Sequence, residues 1–162
     1  MPRKLLLPVL LLVATTVCAQ QPTRAAASPG QATSQLTADQ QAQAAKQNQQ
    51  MVQAALQVAQ LIDQDKIGDV WDGASDVAKK IVSRDAFVKQ ISADRKALGA
   101  VQARTARAAS RTQSKGGSTP AGLYFNVVFA TQFSKTHQLV RELVSFHLDA
   151  DRTWRVSGYT VR

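Results

Sequence analysis

The chain has 162 residues, with 20 Lys and Arg against 11 Asp and Glu and a formal net charge of +9. Such a length holds one domain and little else. Apolar residues at 44% and aromatic residues at 6% exclude a wholly disordered chain and a polytopic membrane protein, and the positive balance points to anionic partners or to solvated surface charge.

Arg3 and Lys4 precede an apolar run, Leu5 to Val17, that ends in the small residues of Val17-Cys18-Ala19. This pattern reads as a secretory signal peptide over residues 1–19. The run contains Pro8 and falls short of the roughly 20 residues that span a bilayer, so the expected product is a soluble periplasmic or secreted chain starting near Gln20. A lipidated Cys18 is the minor alternative, because Val17 suits a lipoprotein site poorly. Cleavage after Ala19 removes the only cysteine and with it any disulfide or thiol chemistry. Residues 20–36 are rich in Gln, Ala, Ser and Thr and are broken by Pro22, Pro29 and Gly30, the composition of a flexible tether.

Residues 37–162 read as one α+β domain. Thr37 and Gln40 make a capping box for a helix that runs to Gln64, with a core face only over Val52, Ala55, Leu56, Ala59 and Ile62. Its first half is expected to fray. Asp69 opens a second helix with an apolar stripe from Val70 and Trp71 to Ala78 and Ile81; Ser83 caps a third, which stops at Gly99. The period then changes to alternation, predicting strands at Ala100–Thr112, Leu123–Ser134, His137–Asp149 and Thr153–Val161. Short connections make them antiparallel. The expected fold is therefore three helices packed on one face of a curved four-stranded antiparallel sheet, cone-like or cystatin-like.

Matching apolar faces fixes a register: Phe125 opposite Phe146, Val127 opposite Val144, Phe129 opposite Glu142, and Phe146 opposite Val156. Strict alternation then puts Leu143, His147, Arg155 and Tyr159 on the outer face. Leu139, Leu143, Tyr159 and Val161 on that face suggest a weak homodimer.

Trp71, Leu98-Gly99, Arg104, Gly122-Leu123-Tyr124, Phe133, Glu142 and the closing Trp154-Arg155-Val156-Ser157-Gly158-Tyr159 together resemble the bacterial family called domain of unknown function 4019, over roughly Val52 to Val161. The resemblance implies a small exported protein of the nuclear-transport-factor-2-like or cystatin-like kind. It carries over no catalytic residue. One departure is the last turn, where the family commonly has a Gly and this chain has Ala150-Asp151-Arg152.

Complete catalytic constellations are absent from the sequence. His147 and Asp149 lack a third donor and are expected to point to opposite edges of a strand end, so no metal site is expected. Asp63, Asp65, Asp69, Asp72 and Asp76 lack the EF-hand pattern and read as caps and solvated charge. Arg104, Arg107, Arg111 and Lys115 fall on both strand faces without interleaved aromatics, a modest signal for anion binding and none for nucleic acid, and a solvated edge strand protected by charge explains them at least as well. The exception is Glu142, the only glutamate, set on the apolar face between Val140 and Val144. A carboxylate there must take up a proton or find a cation and donors. Arg104 is the expected partner, reaching inward past the small Ala106 and Ala108, with Thr131 and Thr160 as hydroxyl donors. Candidate pocket residues are thus Glu142, Arg104, Trp71 and Tyr159, with no cofactor. The expected function is an exported non-enzymatic binding or interaction module of the cell envelope, with an envelope protein or anionic envelope component as partner. The alternative is a small enzyme or small-ligand-binding protein using a pocket near Glu142.

Overall fold

A computed structural model describes residues 37–162; the signal-peptide and tether readings lie outside the described residues. The elements are α1 (Ala38–Asp63), α2 (Ile67–Asp72), α3 (Asp76–Lys79), α4 (Arg84–Leu98), β1 (Val101–Ser114), β2 (Gly122–Phe133), β3 (Val140–Leu148) and β4 (Trp154–Val161). The strands form one antiparallel sheet in the order β1-β2-β3-β4. The fold is α+β, as the switch from helical to alternating periodicity predicts. No helix among the described residues is long and apolar enough to cross a membrane.

Thr37 accepts from Gln40 N–H while the Gln40 side chain accepts from Thr37 N–H, so the capping box forms. The first half of α1 does not fray: it continues as exposed helix to Met51, where burial begins. From there Met51, Ala55, Val58, Ala59 and Ile62 pack one stripe against Phe125, Val127, Phe129, Val144, Phe146 and Val156 of the sheet. Each large side chain so buried contributes about 1.5–3 kcal/mol, which makes this stripe, and not the Gln-rich half, the part of α1 that holds the fold together.

The expected second helix is two. Gly73 ends α2, and Ser75 starts α3 by accepting from Val77 N–H. Ser75 N–H is meanwhile committed to Val156 O at 2.8 Å on β4, so a continuous helix would forfeit that tie. The break also turns Ile81 outward, where it is 68% exposed instead of lying in a core stripe.

The β2–β3 register and the start of β3–β4 match the apolar-face expectation: Phe129 opposes Glu142, Phe125 opposes Phe146, and Phe146 opposes Val156. Three bulges then break strict alternation. In β4 the ladder steps from Val156 to Gly158, leaving Ser157 extra; Gly158 opposes Ser145, Tyr159 opposes Val144, and Val161 opposes Glu142. Both Tyr159 and Val161 therefore turn to the core side, with Tyr159 buried. This corrects the outer-face placement and removes two of the four residues that suggested a homodimer. In β1, extra residues at Gln102 and Arg107 have the same effect, so Ala106 and Ala109 face the core side and Ala108 faces away.

The β3–β4 turn shows what the missing glycine costs. Arg152 takes φ 65°, a left-handed conformation that costs a non-glycine residue about 1 kcal/mol. Asp149 N–H to Thr153 O (3.0 Å) and Arg152 N–H to Asp149 O (2.9 Å) hold it there. Arg152→Gly is accordingly expected to stabilise the domain by about 0.5–1 kcal/mol. Urea unfolding measures this, and a loss of stability would show that the Arg152 side chain holds the turn.

Candidate functional site

Glu142, the third residue of β3, lies on the core face with no solvent exposure. Desolvating a carboxylate costs several kcal/mol unless every lone pair finds a donor, and four donors converge on it. Arg104 Nε (2.6 Å) and the Thr131 hydroxyl (2.7 Å) donate to Oε2. Arg104 Nη2 (3.1 Å) and the Tyr159 hydroxyl (2.6 Å) donate to Oε1. Arg104 is opposite Thr131 in the β1–β2 ladder, and Thr131 is on the same strand face as Phe129, so Thr131 reaches Glu142 from the adjacent strand and Arg104 reaches it across β2 from β1. Thr160, the expected second hydroxyl, opposes Leu143 on the outer face. The bulge at Ser157 puts Tyr159 in its place.

The network continues past Arg104. Its Nη1 and Nη2 donate to Asp63 Oδ2 (2.8 Å) and Oδ1 (3.0 Å), and Arg95 Nη2 donates to Asp63 Oδ1 (2.6 Å). Asp63 is the last residue of α1 and Arg95 lies in the last turn of α4. One chain of alternating charges thus ties the ends of both long helices to β1 and β3. Arg104, 7% exposed, spans the two carboxylates, and the second, Asp63, is 24% exposed. Burial works against the Arg104 charge, but the hydrogen bonds to Asp63 and Glu142 prevail and hold its pKa above the usual guanidinium value. Burial, then the Glu142 charge and hydrogen bond, push the Tyr159 phenol well above its usual value, so it stays a donor. The Arg95 guanidinium also stacks on Phe133, 4.5 Å from the ring centre.

Beside this network runs an open groove of about 860 Å³ whose lining includes Leu56, Asp63, Arg95, Val101 and Arg104. Glu142 lies beneath Arg104 and does not line it. Trp71 belongs elsewhere: its indole N–H donates to Val82 O (3.2 Å) and Lys79 stands 5.3 Å from its ring. The four sequence candidates therefore resolve into three interacting residues, Glu142, Arg104 and Tyr159, and one separate structural tryptophan. Asp63 and Arg95 were missed. In the sequence Asp63 reads as one of the capping and solvated acids, because its role here depends on the α1–β1 crossing, which leaves no local pattern.

A second polar cluster lies at the other end of the sheet. His147 and Asp149 are two apart on β3 and its extension, so they share a side and do not diverge as expected. His147 Nδ1 and Asp149 Oδ1 are 2.7 Å apart, and the Ser75 hydroxyl donates to the same Asp149 oxygen at 2.5 Å. Arg155 Nη1 reaches Asp149 Oδ2 at 3.1 Å and also pairs with Asp151. These three residue types invite comparison with a hydrolytic triad, but the connectivity is wrong. A triad needs its serine at the ring nitrogen opposite the one facing the acid. Here Ser75 approaches Nδ1 (3.4 Å), while Nε2 lies against Gly122, where a Cβ would have no room. The cluster instead fastens the α3 start to the β3–β4 turn. Burial alone would raise the Asp149 pKa, but hydrogen bonds from Ser75, His147 and Arg155 hold it below the usual carboxylate range. Among the described residues no three His, Cys, Asp or Glu side chains gather as a metal site.

The family model described as Protein of unknown function (DUF4019) matches residues 54–159, a span that begins within the packed half of α1 and ends in β4. The chain belongs to this family. All six members of the Glu142 network, from Asp63 to Tyr159, fall within the matched span. No curated protein matches the chain.

Glu142→Ala and Arg104→Ala should each cost about 3–5 kcal/mol, because either one strands its partner's buried charge, and the double variant should cost clearly less than their sum. Chemical unfolding of the three variants checks the coupling; small additive losses would contradict it. The Asp149 contribution has the opposite pH sense to a histidine: its depressed carboxyl stabilises the fold above about pH 4 and that stabilisation is lost as pH falls further. Asp149→Asn should therefore lose less stability than the wild type between pH 5 and pH 3, read by thermal unfolding at each pH.

Proposed function

We propose that the protein is an exported, non-enzymatic interaction module of the cell envelope, which engages its partner through its surface. The observation that supports this most is the saturation of Glu142. All four of its short contacts are with donors of the fold itself, so it has no free lone pair in position to take a substrate proton. The volume between α1 and the sheet is filled by apolar side chains where an enzyme of this architecture needs a cavity with convergent polar groups. The long α1 lying across a bulged antiparallel sheet is in keeping with a nuclear-transport-factor-2-like or cystatin-like arrangement. Export rests on the basic-apolar-small pattern of residues 1–19.

A second reading is favoured by one observation, the groove beside Asp63, Arg95 and Arg104. There the protein would hold a small ligand against Arg95 and Arg104, above the buried Glu142, without transforming it.

Cell fractionation with intact-mass measurement tests export: the expected product is an envelope-fraction chain beginning near Gln20, and a full-length cytoplasmic chain would refute it. On size exclusion with envelope extract the wild type is expected to elute in a complex, and Glu142→Gln, once circular dichroism shows it folded, should elute in the same complex. Loss of that complex with the fold intact would favour the small-ligand pocket.

A further inference from the structure

The two margins of the sheet differ. At β4 the margin is tied to the helical layer by Ser75 N–H bonding to Val156 O. At β1 no strand lies beyond it among the described residues, and apart from the inward Arg104 side chain its 14 residues are exposed or half-buried. An open edge exposes main-chain donors and acceptors that can pair with another chain, and proteins usually blunt such edges with bulges and charges. The bulges at Gln102 and Arg107 do so for the first half of β1. They leave Ala108–Ser114, which pairs with Val128–Gly122 without a further shift.

That regular half-strand faces a wall. Ala109, Arg111 and Gln113 oppose Val127, Phe125 and Leu123, so they lie on the α1 side of the sheet. The projecting half of α1 runs past them with Gln40, Gln43, Gln47 and Gln50 at the spacing of one helix face. These glutamines and Arg111 line an open groove of about 640 Å³, and Arg111 donates to the Gln47 amide oxygen. The α1 amide side chains beside this groove, and the unpaired main-chain edge of β1 next to it, offer hydrogen bonds suited to a peptide main chain.

Charge selects the kind of peptide. Arg95 and Arg104 are already paired with Asp63 and Glu142, but Arg107, Arg111 and Lys115 stand along this half of β1 and Lys46 lines the groove, with no acid among the residues of β1 or of the groove lining. A second copy of β1 would bring Arg107 and Arg111 against the same cationic edge. Among the described residues the exposed large hydrophobic ones, Ile81 and Leu139, lie off β1, so this edge has no apolar wedge for a lipid surface.

We infer that Ala108–Ser114 of β1 takes up an acidic, extended segment of a partner protein as a fifth strand, with the acids at alternate positions beside Arg111 and the α1 glutamines. β-strand addition supplies the affinity and the cations supply the selectivity. The inference rests on the interaction-module reading and names the partner's chemistry.

The test uses the purified chain and a synthetic eight-residue peptide alternating Glu and Val, with a Lys–Val peptide as its charge opposite. Calorimetry should show saturable, salt-sensitive binding of the acidic peptide alone. Hydrogen exchange of the Ala108–Ser114 amides should slow, with β4 unchanged. The double variant Arg107→Glu, Arg111→Glu should bind at least about tenfold more weakly, while Lys89→Glu on α4 should bind as the wild type does; circular dichroism confirms both fold. No binding, or binding without slowed exchange in β1, would overturn the inference. So would equal protection of β1 by phosphatidylglycerol vesicles, which would make the edge a membrane-facing surface. If the peptide fails while the wild-type envelope complex persists, the strand-addition inference falls and the interaction-module reading stands.

Discussion

A single desolvated carboxylate organises this domain. Glu142 can sit on β3 at zero exposure only because Arg104, Thr131 and Tyr159 each present a donor to it. Those donors come from three other strand positions, on β1, β2 and β4, so satisfying one residue sets the register of the whole sheet at that end. Arg104 donates twice more to Asp63, and Asp63 in turn holds Arg95. The ends of α1 and α4 are thereby fastened to the sheet by charge, while the middle of α1 is fastened by apolar packing. The two forms of attachment divide the labour: packing supplies most of the free energy, and the ionic chain removes alternative registers, since a slip of one residue would strand a buried charge.

The bulge at Ser157 is a condition of that arrangement. Without the extra residue, Tyr159 would point outward and Glu142 Oε1 would lose a close donor. The same step turns Val161 into the core. One residue of additional chain thus completes the buried network and strips the outer face of the apolar pair that would have favoured self-association. At the opposite end of the sheet, Asp149 plays a comparable part on a smaller scale, joining Ser75 of the helical layer to His147 and Arg155.

The Glu142 carboxylate is fully engaged within the fold, and much of the domain's remaining charge lies on its surface. Acids collect on α2, α3, α4 and the β3–β4 turn, whereas β1 and its connection to β2 carry cations alone. The projecting, well-capped half of α1 contributes little to the core, yet it forms one wall beside the open edge of β1. A long helix segment without a core role is costly to order, and its position against the free strand gives it a reason to be helical.

The amino-acid sequence by itself determined the order and type of the elements, because periodicity, caps and turns are local signals. The Thr37–Gln40 box, the Ser83 cap, the stop at Gly99 and the alternation of Phe125, Val127 and Phe129 all act within a few residues. It also made the Glu142–Arg104 pairing legible, since a lone carboxylate on an apolar face requires a cation and the small residues of β1 left one route inward. Bulges are different: an inserted residue has no alternation pattern of its own, and its placement depends on what the following residues can bury. For that reason only the tertiary structure decided that Tyr159 faces inward, that the second helix breaks at Gly73 to free Ser75 N–H for β4, and that Asp63 and Arg95 join a network built from elements far apart in the chain.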